Sequence, residues 1–234
     1  SWRTWHMVSR DQGETWSEAE LLPGPAGLGW GPVKNKPILL SDGTLLAGLS
    51  DEPPDPVTEW KWIPYAQRSP DGGWTWEAPV EVPMPRIEGY GLIQPALWES
   101  RPGHVHMLLR STDRRLYRSD STDYGRTWCG AYPMGLPNNN SGLDVARTEE
   151  GLLALVCNPV PGWGRPRTPL SVLLSSDNGN TWTHRLDLET AEGEYSYPAV
   201  IATPRGLAIT YTWKRERIAF WHGSVEQIPK WGQT

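Results

Sequence analysis

The stretch that decides the fold is SSDNGNTW, residues 175–182, because the chain repeats nearly the same phrase four times. The other copies are SRDQGETW (9–16), SPDGGWTW (69–76) and STDYGRTW (121–128). All four carry Ser, Asp, Gly, Thr and Trp at the same places within eight positions. Their starts are 60, 52 and 54 residues apart, and this spacing suits one four-stranded unit per repeat.

The composition of the repeated phrase predicts a structural turn. Ser and Asp side chains accept hydrogen bonds from nearby backbone N–H groups, and Gly supplies a positive φ. Thr then begins the next strand, and Trp is expected to pack under the sheet and hold the turn in place. A calcium loop would need more carboxylates and a distal Glu, which the phrase lacks.

The segments between the phrases read as short strands joined by tight turns, without helical periodicity. In the third unit, LIQPALWE, HVHMLLRS and RLYRSDS precede the phrase and CGAYPM follows it. Four-stranded units at this spacing predict an all-β fold, a β-propeller whose blades are these units. We expect a single domain over residues 1–234, with partial blades at 1–26 and 193–228. The complete blades are expected at about 27–87, 88–137 and 138–192.

Composition restricts the classes of partner. The net charge of −5 argues against a nucleic acid, which usually binds a basic face. No apolar run reaches the roughly 18 residues of a membrane span, and no signal peptide is evident. The absence of an initiator Met suggests a processed, excised or truncated chain. The compartment and the oligomeric state stay open.

The aromatic and metal-ligating residues give two further expectations. Fifteen Trp and eight Tyr against one Phe indicate a repeated structural use of Trp, an aromatic binding surface, or both. The two cysteines, Cys129 and Cys157, are expected to pack as small hydrophobic residues. The five histidines show no metal-ligand spacing, so neither a metal nor a cofactor is expected.

The four phrases resemble the Asp-box, or bacterial neuraminidase repeat, and the chain resembles the sialidase superfamily of six-bladed propellers. The segments GPVKNKP, LIQP, LPNNNSGLD and GEYSYPA are similar to a subgroup of bacterial proteins described as predicted neuraminidases. Members of that subgroup are longer at the N-terminus. The resemblance therefore implies that one or more N-terminal blades are absent from this chain.

Propeller geometry predicts where a ligand would bind. The Asp-boxes join third and fourth strands, so they share one face, and ligands of the superfamily bind on the other. Three residues that precede a Pro on that face, Lys36, Gln94 and Tyr197, are expected to form a ring that contacts ligand or closes the axis. Further candidate binding residues are Arg110, Asn140, Asp144, Arg167 and Arg215; Asp144 is expected to support its loop rather than titrate. Such a concentration of cations suits a carbohydrate with a carboxylate.

The resemblance also implies catalytic roles. Arg110 and Arg167 match two of the three arginines that bind the sialic acid carboxylate, and Tyr195 matches the nucleophilic Tyr, with Tyr197 as its rival. Gln94 stands where the family has the Glu that acts as base, and Glu194 or Glu88 is the candidate substitute. The first arginine and the aspartic general acid of the family are expected in the absent blades.

These residues predict a sialidase-like exoglycosidase that hydrolyses or recognises a terminal acidic sugar. One alternative is a propeller that binds carbohydrate without catalysis or is purely structural, which the Gln at the base position favours. Another is a lyase or glycosidase acting on uronic-acid polysaccharides, since such a site also presents Tyr and Arg around the axis.

Overall fold

The computed structural model describes residues 4–22, 34–52, 61–87 and 89–232. Within these ranges the chain forms five antiparallel sheets and one short 3-10 helix, Val225–Gln227. Sheet 1 contains β1 (Trp5–His6) and β2 (Glu20–Leu21). Sheet 2 contains β3 (Ile38–Leu39), β4 (Leu45–Asp51), β5 (Ile63–Ser69) and β6 (Val80–Glu81). Sheet 3 contains β7 (Leu92–Arg101), β8 (His104–Ser111), β9 (Arg115–Ser121) and β10 (Tyr132–Pro137). Sheet 4 contains β11 (Asp144–Arg147), β12 (Leu153–Cys157), β13 (Leu170–Ser175) and β14 (His184–Glu189). Sheet 5 contains β15 (Tyr195–Thr203), β16 (Gly206–Trp213) and β17 (Arg217–Gly223).

The hydrophobic core lies between consecutive sheets. Leu46 of sheet 2 belongs to one buried cluster with Met107 of sheet 3. Leu108 of sheet 3 belongs to a second cluster with Leu155 of sheet 4, and a third cluster joins sheets 4 and 5. Each sheet runs in sequence order, and sheets 2 to 5 pack each on the next, which confirms the predicted β-propeller. The number of six blades, and the single domain with the blade limits given above, stay predictions.

The Asp-boxes fold as the sequence predicts. Asp177 Oδ1 accepts the Thr181 N–H at 2.8 Å, and Oδ2 accepts the Thr181 hydroxyl at 2.6 Å. Ser175 Oγ accepts the N–H of Gly179, also at 2.8 Å, and the same three bonds recur in the other boxes. Each box is therefore a local backbone turn between the last two strands of its four-stranded sheet, or between the two strands of sheet 1.

The box tryptophans differ in burial. Trp128 is 8% exposed and packs in the core, as predicted, whereas Trp16 is 58% exposed. In the first three boxes the indole N–H also donates to the box Gly carbonyl at 3.1 Å. The indole thus closes the turn by a hydrogen bond even where it does not pack.

The two cysteines also differ. Cys157 is buried in β12, and burial raises the pKa of its thiol to about 12. Cys129 is exposed, contrary to the prediction, because it follows directly after the third box on the outside of the turn. In the described ranges no three His, Cys, Asp or Glu side chains are grouped to hold a metal ion, and no helix could span a membrane.

Candidate functional site

Left-handed backbone occurs at both ends of the blades: the box residues Gln12, Tyr124 and Asn178 have positive φ, and so do residues at the opposite end. Lys34, Gln94, Asn140 and Tyr197 all have left-handed φ values, between 51° and 69°, in the segments that precede or begin the first strand of sheets 2 to 5. Such residues cost about 1–3 kcal/mol each and cluster at functional sites. Three of their side chains meet at Gly142, where a Cβ atom would lie 3.1 Å from Tyr197, 3.2 Å from Lys34 and 3.5 Å from Gln94. The blades therefore bring these side chains together.

The lysine of this ring is Lys34 rather than the predicted Lys36. Lys34 Nζ donates to the carbonyls of Leu143 (2.6 Å) and Pro198 (2.9 Å), and burial lowers its pKa to about 7 although Asp144 opposes the shift. Lys36 instead pairs with Asp144 at 2.7 Å. Asp144 is 2% exposed and also accepts the N–H of Val200. Lys36 and Asp144 thus join sheets 2, 4 and 5.

Arg110 lies at the end of β8 and is 8% exposed. Its Nε donates to Asn140 Oδ1 at 2.7 Å, and a terminal nitrogen donates to Gln94 Oε1 at 3.3 Å. Its guanidinium carbon also lies 5.6 Å from the centre of the Trp62 ring. Asn140 and Gln94, both predicted to bind substrate, therefore fix the orientation of this arginine.

Arg167 approaches the same place from the segment before β13. One terminal nitrogen donates to Glu194 at 3.0 Å and to the hydroxyl of Ser196 at 3.2 Å. Glu194 also accepts from Arg215 Nε at 2.7 Å. Burial would raise the pKa of Glu194, but the hydrogen bond of Arg215 and the charges of Arg167 and Arg215 hold it below its ordinary value. A carboxylate held in this way is a poor general base, so the predicted catalytic Glu194 is placed to position Arg167.

The two rival tyrosines occupy different environments. Tyr195 is 1% exposed and packs in the core with its ring edge-on to Trp213, 6.2 Å away. The expectation that Tyr195 is the nucleophile does not fit this burial. Tyr197 is 38% exposed, and the Arg167 guanidinium carbon lies over its ring, 5.2 Å from the ring centre. Burial would raise the pKa of Tyr197, but the hydrogen bond and charge of Arg167, followed by those of Arg110, hold it below its ordinary value.

Two further residues lie at this site: the sequence places Glu52 in the same set of loops as Arg110 and Arg167 without giving it a role, and Trp62 was missed. Glu52 directly follows β4, and burial raises the pKa of its carboxyl although the charge of Arg110 opposes the shift. Trp62 directly precedes β5 and carries the ring beneath Arg110. Glu52 was evident only as one acidic loop residue among several. Glu88, the other proposed base, lies outside the described residues.

The comparisons with known proteins agree with this architecture. The model of the BNR repeat-like domain matches residues 1–209. The chain belongs to the BNR repeat-like domain family. A search of curated proteins finds no match to this BNR repeat-like chain.

Solved structures with the same fold include sialidases. The Hadza microbial sialidase Hz136 matches with a TM-score of 0.77 and 20% identity, over 97% of this chain and 44% of that one. The K499G mutant of NanB sialidase from Streptococcus pneumoniae matches with a TM-score of 0.75 and 16% identity, over 95% and 36%. A protein of unknown function from Dyadobacter fermentans matches with a TM-score of 0.72 and 16% identity, over 97% and 61%. The BNR repeat-like chain therefore has the sialidase fold and spans 36% to 61% of the length of these neighbours.

Proposed function

We propose that the cluster around Tyr197 is the carboxylate-binding and nucleophilic part of an exoglycosidase site for a terminal acidic sugar. The observation that carries the proposal is the position of the Arg167 guanidinium over the ring of the exposed Tyr197, 5.2 Å from its centre, with the charge of Arg110 also acting on the phenol. Two guanidinium groups beside one exposed phenol form a site for an anion, because each offers a planar set of donors. Two of the structural neighbours are named as sialidases.

The chemistry follows from charge. A sugar whose anomeric carbon bears a carboxylate would repel an anionic carboxylate nucleophile, whereas a phenol is neutral until it reacts. The arginines that bind the sugar carboxylate also favour the phenolate of Tyr197. The Tyr197 oxygen would bond to the anomeric carbon as the glycosidic C–O bond breaks, and the departing oxygen would take its proton from water. A second water would then release the sugar and return the phenol.

The proton of the phenol needs an acceptor. Gln94 cannot take it, and Glu194 is held by two arginines. We assign the role to Glu52, a partly buried carboxylate that directly follows β4 and interacts with the charge of Arg110.

A fluorogenic glycoside of N-acetylneuraminic acid tests the proposal. We expect release of the fluorophore, reduced about a hundredfold or more in Arg167→Ala, because the variant removes a charge that binds the substrate. Arg217→Ala is the matched control, since the side chain of Arg217, at the start of β17, is 65% exposed and lies over Trp213 rather than Tyr197.

Two other outcomes would reject hydrolysis. Binding without turnover, lost in Arg167→Ala, would support the carbohydrate-binding propeller, which Gln94 at the base position favours. Unsaturated, ultraviolet-absorbing products from uronic-acid polymers would instead identify a lyase.

A further inference from the structure

The same irregularity interrupts the first strands of sheets 3 and 5. The pairing of β7 with β8 skips Gln94 and Pro95, which together oppose one residue of β8. The pairing of β15 with β16 skips Tyr197 and Pro198 in the same way. Each dipeptide is a β-bulge whose first residue has left-handed φ, 56° at Gln94 and 51° at Tyr197. We call them the Gln94 bulge and the Tyr197 bulge.

Two consecutive side chains from the segment before β3 bind the carbonyls of both bulges. A bulge lies outside the regular ladder and its proline has no N–H, so its carbonyls need donors from elsewhere. Asn35 Nδ2 donates to the carbonyls of Gln94 and Pro95, at 3.0 Å each. Lys34 Nζ donates to the carbonyl of Pro198 at 2.9 Å. Lys34 and Asn35 together form what we call the clasp.

Asn35 holds the Gln94 bulge from the side of sheet 2. The Gln94 N–H donates to Ser50 Oγ at 2.7 Å, so side chains bind both backbone groups of Gln94. These bonds offset the cost of left-handed backbone, about 1–3 kcal/mol. The Gln94 side chain in turn accepts from Arg110 at 3.3 Å. Asn35, which is buried, therefore acts on the arginine through Gln94.

Lys34 holds the Tyr197 bulge against sheet 4. Its Nζ also donates at 2.6 Å to the carbonyl of Leu143, which directly precedes β11. A Cβ atom at Gly142 would lie 3.2 Å from Lys34 Cε and 3.1 Å from Tyr197 Cδ1, so the lysine stem and the tyrosine ring pack at the same place. Burial lowers the pKa of Lys34 to about 7, although Asp144 opposes the shift. Above that pH the neutral amine still has two hydrogens for its two carbonyls.

We propose that Lys34 and Asn35 are positioning residues of the candidate site, which hold Tyr197 and Gln94 in the conformation that presents their side chains beside the arginines. The inference rests on the proposed function for its effect on turnover, whereas the positioning is a property of the free protein. Because one segment binds both bulges, displacing that segment would move the phenol and the acceptor of Arg110 together. A purely structural role would change stability and leave the ionisation of Tyr197 as it is.

Alkaline titration of tyrosinate absorbance in the free protein tests the positioning. Burial would raise the pKa of Tyr197, but Arg167 and Arg110 hold it below its ordinary value, so the unmodified chain should show an early step. In Lys34→Met and Asn35→Leu this step should move toward pH of about 10, the ordinary range of tyrosine, because the relaxed bulges separate the phenol from the guanidinium groups. Lys34 is largely neutral at such pH, so Lys34→Met removes hydrogen bonds rather than a charge.

Gly142→Ala is a second variant that keeps both donors of the clasp. Its methyl group would lie 3.2 Å from the Lys34 stem and 3.1 Å from the Tyr197 ring, so one of them must shift. The early step should move in the same direction as in Lys34→Met, and this result decides the matter if Lys34→Met does not fold.

Asn178→Ala is the matched control at the opposite end of the blades. Asn178 lies in the fourth Asp-box and also joins two sheets, through Trp98 Nε1 at 2.7 Å and His106 Nε2 at 3.1 Å. The control variant should lower the free energy of unfolding and leave the early step unchanged.

Turnover of the fluorogenic glycoside separates the two proposals. In a chain that hydrolyses it, kcat should fall about tenfold or more in Lys34→Met and Asn35→Leu, because the nucleophile is misplaced. A shifted early step in a chain without turnover would reject the proposed function and support the clasp. An early step that is absent from the unmodified chain, unchanged in the clasp variants, or moved equally by Asn178→Ala would overturn the clasp as a positioning device.

Discussion

At the scale of single residues, the proposed site uses Tyr197, whereas Tyr195 is buried in the core. Both lie in β15, but the left-handed backbone of Tyr197 coincides with a register shift between Ser196 and Ala199. The phenol of Tyr197 is thereby exposed beside two guanidinium groups, while that of Tyr195 stays in the core. The strain at Tyr197 is offset by the packing and hydrogen bonds of the blades around it.

Tyr197 is expected to ionise at lower pH than other tyrosines. Because its pKa in the folded protein is depressed, its contribution to stability is absent at neutral pH, appears as pH rises through that pKa, and is complete above about 10. Tyrosinate absorbance during alkaline titration should show an early step that Tyr197→Phe removes. Tyr132→Phe should retain the step, since burial and the hydrogen bond to Asp120 raise the pKa of Tyr132. An early step that survives Tyr197→Phe would contradict the assignment.

Two carboxylates of the site should differ in the pH profile of turnover. Glu52→Gln should lower kcat about a hundredfold and remove the acid limb of the profile, because it deletes the proton acceptor. Glu194→Gln should raise KM and leave the shape of the profile unchanged, because Glu194 positions Arg167 and Arg215. Steady-state kinetics across pH distinguish the proton acceptor from the positioning carboxylate. If the acid limb is lost only in Glu194→Gln, Glu194 is the proton acceptor and Glu52 is not.

At the scale of elements, the Asp-box turns should stabilise the blades above acidic pH. Asp177→Ala removes an acceptor of three hydrogen bonds and should lower the free energy of unfolding by about 1–2 kcal/mol. Burial would raise the pKa of Asp177, but the hydrogen bonds from Thr181 and Ser175 lower it to about 2. Its contribution should thus be complete above about pH 4 and lost as pH falls toward 2. Denaturant unfolding at about pH 4 and about pH 2 tests this prediction. Glu149→Ala is the control, because Glu149 is an exposed carboxylate in the turn between β11 and β12. Equal losses for both variants would contradict the prediction.

The elements also show what the sequence could predict. The boxes were predictable because each is closed by bonds between residues at most four apart, so composition alone specifies the turn. The arginines were predictable from their position and their resemblance to a known family. The sequence could not predict that Lys34 rather than Lys36, and Tyr197 rather than Tyr195, would lie in the proposed site. Side chains alternate between the two faces along a strand, but a residue with left-handed φ interrupts that alternation. Lys, Gln and Tyr have no special preference for left-handed φ, so their presence does not predict where the interruption occurs.

At the scale of the whole molecule, the two faces of sheet 5 are unequal. Val200, Leu207 and Ile209 pack against sheet 4. The opposite face presents Ile201, Ile218 and Phe220, which are 52%, 69% and 68% exposed. Thr210 pairs with Phe220 and Thr212 with Ile218, so the two large side chains of β17 lie on one side of the sheet. An exposed apolar sheet face of this kind favours association with another protein surface.

In a propeller each sheet packs between two others, so this face has the character of a contact between blades, and we expect the chain as given to self-associate through it. Burying Phe220 and Ile218 against a second copy would stabilise the contact by about 1.5–3 kcal/mol for each side chain. The double variant Ile218→Lys with Phe220→Lys should shift sedimentation-velocity profiles toward monomer, because each lysine would have to be desolvated in the contact. Leu39→Lys is the matched control, since Leu39 is 70% exposed but lies in sheet 2. If Leu39→Lys dissociates the chain as strongly, or if the unmodified chain is monomeric across concentration, sheet 5 is not the contact surface.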